Sequence, residues 1–247
     1  MEQLHLEHRS DEHKKGVENV MNLYETDAEF MKRFERFAYK EIVSCNGKQL
    51  DDETRYMAVM ASLIGCQGID TYKMVLPKAL DGGLSAAVVK EIVYQAVDYL
   101  GMGRILPFLA ATNVILEERG VRLPLPEPKI PEETLLEKNM QEQERIFGEQ
   151  MKELWRDDDI HKWLVENCFG DYYSSALSMQ KREILAFCFL MAQGGCETQL
   201  AAHVEANIRL GNDKEILISV VAQCLPYIGY PRSLNAVSCV REAGSKE

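Results

Sequence analysis

The chain lacks three things that would each have set its class. It has no basic stripe: 28 Lys and Arg stand against 39 Asp and Glu, for a net charge of −11. A nucleic-acid binder needs clustered positive charge, so that class is set aside, and the acidity speaks to solubility rather than to a partner. It has no apolar run of the length that crosses a bilayer, so no membrane partner is expected. It has no CxxC pair among its seven cysteines, Cys45, Cys66, Cys168, Cys188, Cys196, Cys224 and Cys239. The segment Met1–Gly16 is charged and lacks the apolar stretch of a secretory leader. A cytoplasmic, reducing location with free thiols is the expectation. Also missing are a phosphate-cradling Gly-rich loop followed by Lys-Ser or Lys-Thr, and a dinucleotide fingerprint after a strand; no cofactor is expected. His5, His8 and His13 read as a solvated tail. His161 and His203 have no ligand-spaced partners, so no metal is expected either.

What the chain has is helix-forming sequence. Beta-branched alternation is scarce, while Ala, Leu, Met, Glu and Gln are common, which predicts an all-α fold. Its 247 residues, 46% of them apolar, suffice for one large or two ordinary domains with a real core. The clearest interruption is Arg119–Pro131, RGVRLPLPEPKIP, whose prolines disfavour helix and predict an extended linker. Beyond it, Glu132–Arg156 reads as a charged helix. Ser178 is a cap for a helix running through Arg182, Glu183, Phe187 and Leu190 that ends at Gly194-Gly195. A second helix runs from near Cys196 to near Gly211. Asn212 and Glu215 form an N-cap pattern for a third, running to about Leu225. Pro231 opens a fourth, with Leu234, Val237 and Val240 as its apolar stripe. Two further amphipathic stretches surround Phe30-Phe34-Phe37 and Ile160-Trp163-Leu164.

The first half repeats this plan at an offset of about 127 residues. Leu50-Asp51 corresponds to Leu177-Ser178, Arg55 to Arg182, Leu63 to Leu190 and Gly68 to Gly195. With one residue of slip, Gly83 corresponds to Gly211, Gln95 to Gln223, Gly101 to Gly229 and Arg104 to Arg232. The matches fall at caps, turns and helix ends, where a shared backbone constrains the residue. They predict duplication of one helical unit, with unit one at 17–120, the linker at 121–131 and unit two at 132–243.

Chemistry concentrates in unit two. Glu183, Cys196, Gln199 and His203 surround one helix–Gly-Gly–helix corner. Cys196 is expected at a helix N-terminus, where exposed N–H groups stabilise a thiolate. Gln199 and His203 are neighbours on one helix face. Cys196 shares that face two turns away, a rise of about 10 Å, so a direct Cys–His hydrogen bond requires the corner to bend. Glu183 lies among apolar residues, where a carboxyl group can titrate upward and exchange protons. The plainer alternatives stand beside these: a core thiol, a structural histidine, and a surface pair of Arg182 with Glu183. Arg232, at the start of the last helix, either faces solvent or reaches a substrate carboxylate.

Residues 181–237, KREILAFCFLMAQGGCETQLAAHVEANIRLGNDKEILISVVAQCLPYIGYPRSLNAV, resemble the carboxymuconolactone decarboxylase family, which includes the AhpD-like alkylhydroperoxidases. The resemblance rests on Arg-Glu entering a helix, then Gly-Cys, then His seven residues after that Cys, then Gly-Asn-Asp-Lys-Glu and Tyr-x-Gly-Tyr-Pro-Arg. FGDYYSSALS at 169–178 also fits. It implies an AhpD-like helical fold and puts Glu183, Cys196 and His203 in the family's functional positions. Gln199, Tyr227 and Arg232 would be pocket residues. It further implies a homo-oligomer, here a trimer mimicking a hexamer. The chain departs from both branches at Gln199, where the peroxidase branch usually has a second cysteine and decarboxylase-like members commonly have an acid. Unit one departs further: Tyr56, Ile69, Tyr72 and Leu76 replace Glu183, Cys196, Gln199 and His203, so it reads as a structural partner whose aromatics can line the pocket.

Two functions follow for a small-molecule substrate. One is peroxidase-like, thiol-dependent chemistry led by Cys196 with Glu183 and His203 as a proton relay. The other is decarboxylase- or lactone-type acid–base chemistry led by Glu183 and His203 on a small organic acid. A non-catalytic assembly protein is the third reading.

Overall fold

The computed structural model describes residues 23–43, 49–126, 141, 143–148, 158–164 and 177–244. Within them the order is α1 (Ala28–Arg36, continued by a π-turn at Phe37–Glu41), α2 (Asp52–Gly65), α3 (Ile69–Asp81), α4 (Ala86–Leu100), α5 (Met102–Glu118), α6 (Asp159–Trp163), α7 (Met179–Gln193), α8 (Glu197–Arg209), α9 (Lys214–Ile228) and α10 (Tyr230–Glu242). No strand occurs among the described residues, so the expected all-α, AhpD-like class is what is found. Residues 119–126 of the linker are free of helix as expected. The His-bearing tail, the rest of the linker and most of Glu132–Arg156 lie outside the described residues, apart from a helical turn at 143–147.

Local sequence sets the helix starts. Asp51 accepts a hydrogen bond from the Thr54 amide and Ser178 from that of Lys181, each capping a central helix. The backbone amide at Thr54 holds the Asp51 carboxyl below its ordinary range. Ser85 caps α4 and Asp213 caps α9 in the same manner. Asp213, not Asn212, is therefore the cap: the Asn212 side chain is turned inward instead. Positive φ recurs at matching places, at Gln67 (61°) and Gly194 (70°), at Gly83 (101°) and Gly211 (94°), and at Gly101 (76°) and Gly229 (79°). Gln67 is the sole non-glycine residue with positive φ among those described.

Helices α2 and α7 are the spine. Every residue from Met57 to Gly65 and from Arg182 to Ala192 is buried, the pattern of helices enclosed on all sides. They cross closely where Gly65 meets α7. A Cβ on Gly65 would lie 2.8 Å from Ala192 Cβ and 2.9 Å from the Phe189 carbonyl oxygen. Around this crossing α3 packs on α2 and α8 on α7, while α4 and α9 each lie against both central helices. The two halves thus share one continuous core. Cys188 and Cys224 are fully buried within it, as core thiols.

Three expectations about faces are corrected. Leu234 is exposed and Val237 only partly buried; of the expected stripe Val240 alone is fully buried, and Ser233 and Ala236 complete the buried i, i+3, i+7 series of α10. Phe30 is exposed and α1 buries Met31. Ile160, Trp163 and Leu164 are all exposed. In addition, α9 continues past Pro226 to Ile228 instead of ending near Leu225. None of the described helices is long and apolar enough to cross a membrane.

The Gly65 contact is directly testable. Gly65→Ala is expected to destabilise the protein by about 1–3 kcal/mol, the usual cost of overpacking a tight core, despite alanine's better helix propensity. A urea midpoint at or above that of wild type would show that the crossing has slack.

Candidate active site

Two of the candidate site residues, Glu183 and His203, meet from α7 and α8. Glu183, one turn into α7, is completely buried. His203, in the middle of α8, presents its Nδ1 to Glu183 Oε2 at 2.7 Å, and its side chain is 13% exposed. With Nδ1 committed to the carboxylate, Nε2 is the ring nitrogen left to meet a substrate. Glu183 Oε1 is buried with no hydrogen-bond partner among the described residues. An unpaired acceptor at this depth is costly in a purely structural pair.

The backbone beneath the pair is pinned by two asparagines. Asn207 donates from Nδ2 to the carbonyl of Glu183 at 2.9 Å and to that of His203 at 2.8 Å. Its Oδ1 accepts from Asn212 Nδ2 at 2.9 Å, and Asn212 also donates to the Gln180 carbonyl at 3.0 Å. Both Nδ2 protons and one Oδ1 lone pair of Asn207 are thereby used, which a buried amide requires. Asn212 was legible only as a helix cap, and nothing marked Asn207; their spacing of five residues spans a helix end, outside any single-helix periodicity.

The walls come from elsewhere in the chain. Tyr99, on α4, lies 5.5 Å from the His203 ring at 68°, and its own ring leans on Phe189 at 5.6 Å. Phe147 also meets His203 edge-on, at 5.1 Å and 85°. The first half of the chain therefore contributes an aromatic beside His203. The available signal was the expected correspondence of the halves, which pairs Tyr99 with Tyr227.

Arg182 is no surface partner of Glu183. Its side chain is 1% exposed, and its Nη2 donates to Glu91 Oε2 of α4 at 2.7 Å. Gln95, also on α4, donates to the Arg182 carbonyl at 2.9 Å. These buried polar contacts fix the rotation of α7 against α4, and with it the neighbouring Glu183.

Cys196 occupies the N-cap position of α8, as expected for a residue at a helix start. Its thiol donates to the Leu190 carbonyl at 3.4 Å and receives the Gln193 Nε2 amide at 3.7 Å. Gln193 in turn accepts from Arg104 Nη1 of α5 at 2.8 Å. Neither of the cysteine's hydrogen bonds goes to His203 or Glu183, so the corner does not bend the thiol back onto the pair.

The remaining expected pocket residues are dispersed. Gln199 is exposed on the first turns of α8. Tyr227 packs edge-on against Phe34 of α1 at 5.8 Å, and burial followed by the neighbouring Tyr39 pushes its phenol upward. Arg232 lies along the Gly-Gly corner, its Nε 3.4 Å from where a Gly194 Cβ would stand. It is also close enough to Cys66 to pull down a thiol that burial raises overall. Among the described residues no cluster of three or more His, Cys, Asp or Glu side chains could hold a metal ion.

Residues 158–242 match the model of the carboxymuconolactone decarboxylase family, a span that includes Glu183, Cys196 and His203. The likeness to that family is confined to this segment. No curated protein matches the chain. The matched span does not include Tyr99, Arg104 or Glu91, the first-half residues that meet it.

Proposed function

We propose that the protein is an acid–base enzyme acting on a small organic acid or lactone, with Glu183 and His203 as its proton-transfer pair. The observation that carries this reading is the buried Glu183–His203 hydrogen bond, 2.7 Å long, which commits Nδ1 and leaves Nε2 as the reactive nitrogen. In the proposed step His203 Nε2 takes a proton from the substrate carbon or oxygen. Glu183 stabilises the imidazolium that results, and the same pair returns the proton to product. Contact with the Tyr99 and Phe147 rings, and the burial of Glu183, limit the water that competes for that proton. Cys196 is auxiliary in this reading, because its hydrogen bonds hold it to Leu190 and Gln193.

A second reading is thiol-dependent peroxide reduction. It draws on the Gln193 amide that meets the Cys196 sulfur, and on the guanidinium of Arg104 behind that amide. A Cys196 thiolate would attack the peroxide O–O bond, give a sulfenic acid and require a second thiol to resolve it. Gln199, in place of a second cysteine, supplies no resolving thiol.

Turnover of a panel of small lactones and keto acids separates the two. On the acid–base reading, His203→Gln and Glu183→Gln each lower kcat about 10²- to 10⁴-fold, the usual worth of a positioned acid–base group, and Cys196→Ser retains activity. Retained turnover in both pair variants would overturn it. Peroxide consumption with a thiol reductant that disappears in Cys196→Ser would establish the second reading instead.

We further propose that the halves derive from one duplicated unit and that the chain self-associates through surfaces present in both. Support comes from the matched caps and positive-φ positions and from exposed apolar pairs at corresponding places, Met102 with Leu106 on α5 and Tyr230 with Leu234 on α10. Light scattering is expected to report a trimer, the closed arrangement that uses both surfaces, and Leu106→Asp with Leu234→Asp to dissociate it. A wild-type monomer would contradict this.

A further inference from the structure

The two halves differ sharply at one buried position that the proposed chemistry does not use. In the second half, the central-helix arginine Arg182 is met by the carboxylate of Glu91, with Gln95 one turn along. In the first half, the corresponding arginine is Arg55, and α9 brings Ser219 and Gln223 to the places that Glu91 and Gln95 hold on α4. Serine is shorter than glutamate by the carboxylate group. A cavity of about 50 Å³ lies there, walled by Ile42, Val43 and Leu50 and faced by Arg55, Ser219 and Gln223.

Its polar groups are incompletely satisfied. Ser219 is 5% exposed, and its Oγ has no hydrogen-bond partner among the described residues. A buried hydroxyl without a partner calls for a ligand or a solvent molecule at that point. The Arg55 side chain is 17% exposed and gives Nε and Nη2 to one oxygen of Asp52, which also borders the cavity. Asp52 is itself 71% exposed, so this pair is screened by water and weak. Gln223 is anchored through Nε2 to the Ile42 carbonyl at 3.2 Å.

We propose that this cavity is a binding site for a small aliphatic carboxylate. The ligand's carboxylate takes the place of the Glu91 carboxylate, accepting from the Arg55 guanidinium and the Ser219 hydroxyl. Its short alkyl part lies against Ile42 and Leu50, which selects an acetate- or propionate-sized acid over an inorganic anion. A single water fills about 10–15 Å³ on the same measure, so the space admits a ligand of a few heavy atoms and nothing larger. The site is separate from Glu183 and His203 and does not depend on the function proposed for them.

The test is titration of the full chain with sodium acetate against sodium chloride at equal ionic strength, read by thermal melting and by saturation transfer to the acetate methyl protons. Acetate is expected to raise Tm saturably and to show saturation transfer, while chloride leaves Tm unchanged. Arg55→Gln is expected to weaken acetate binding roughly tenfold or more, the worth of a hydrogen bond to a charged group. Ser219→Glu, which builds the missing carboxylate into the chain, is expected to abolish the acetate response and raise Tm by itself. Should that variant misfold, Ser219→Ala serves in its place, with weakened binding expected. His203→Gln is expected to respond to acetate as wild type does. Three results would overturn the proposal: no acetate response in wild type, a chloride response equal to that of acetate, or a response lost in His203→Gln and kept in Arg55→Gln.

Discussion

The contact between Gly65 and the Phe189–Ala192 turn is the constraint on which the rest of the protein depends. It lets two helices, buried along Met57–Gly65 and Arg182–Ala192, cross with little more than backbone between them. Helices so close leave no room for a solvent layer or a second core, and the flanking helices must pack on both at once. That is why α4 and α9 each touch α2 and α7. A single side chain at the crossing would push the spine apart and loosen every helix laid across it.

The candidate site inherits its shape from that interlocking. Because α4 of the first half lies on α7 of the second, Tyr99 reaches His203, and Glu91 and Gln95 reach Arg182. The second half supplies the ionisable pair, while the first supplies an aromatic wall and the polar contacts that hold the α7 register. Tyr227 and Gln223 lie against the α1 region of the first half, where they meet Phe34 and the Ile42 carbonyl instead of a histidine–glutamate pair. The same exchange explains why a site that is locally complete in sequence is spatially composite.

Much of this was legible in the sequence, and the reasons for the exceptions are physical. Helix starts were readable because Asp51, Ser178 and Pro231 act within a turn of where they stand. Glu183 and His203 were readable as a reactive set, and their pairing across the α7–α8 corner is short and direct. The placement of Asn212 was not readable, since a cap and an inward-turned amide share the same local sequence and only packing against Gln180 and Asn207 separates them. Tyr227 was expected in the pocket of its own half because a chain reading keeps a residue with its neighbours in sequence, whereas α9 lies against both central helices and Tyr227 packs on Phe34 of α1. Leu234 was misassigned because a surface leucine fits an apolar stripe as well as a core one; only three-dimensional burial tells them apart.

On the proposed acid–base reading, the buried Glu183 carboxylate fixes His203 with Nδ1 protonated and Nε2 free for proton transfer. The ¹⁵N chemical shifts of the His203 ring at neutral pH report this directly. Wild type is expected to show a protonated Nδ1 and an unprotonated Nε2, and Glu183→Ala to lose that tautomer preference. A wild-type ring protonated at Nε2 alone, with shifts unchanged by Glu183→Ala, would contradict it.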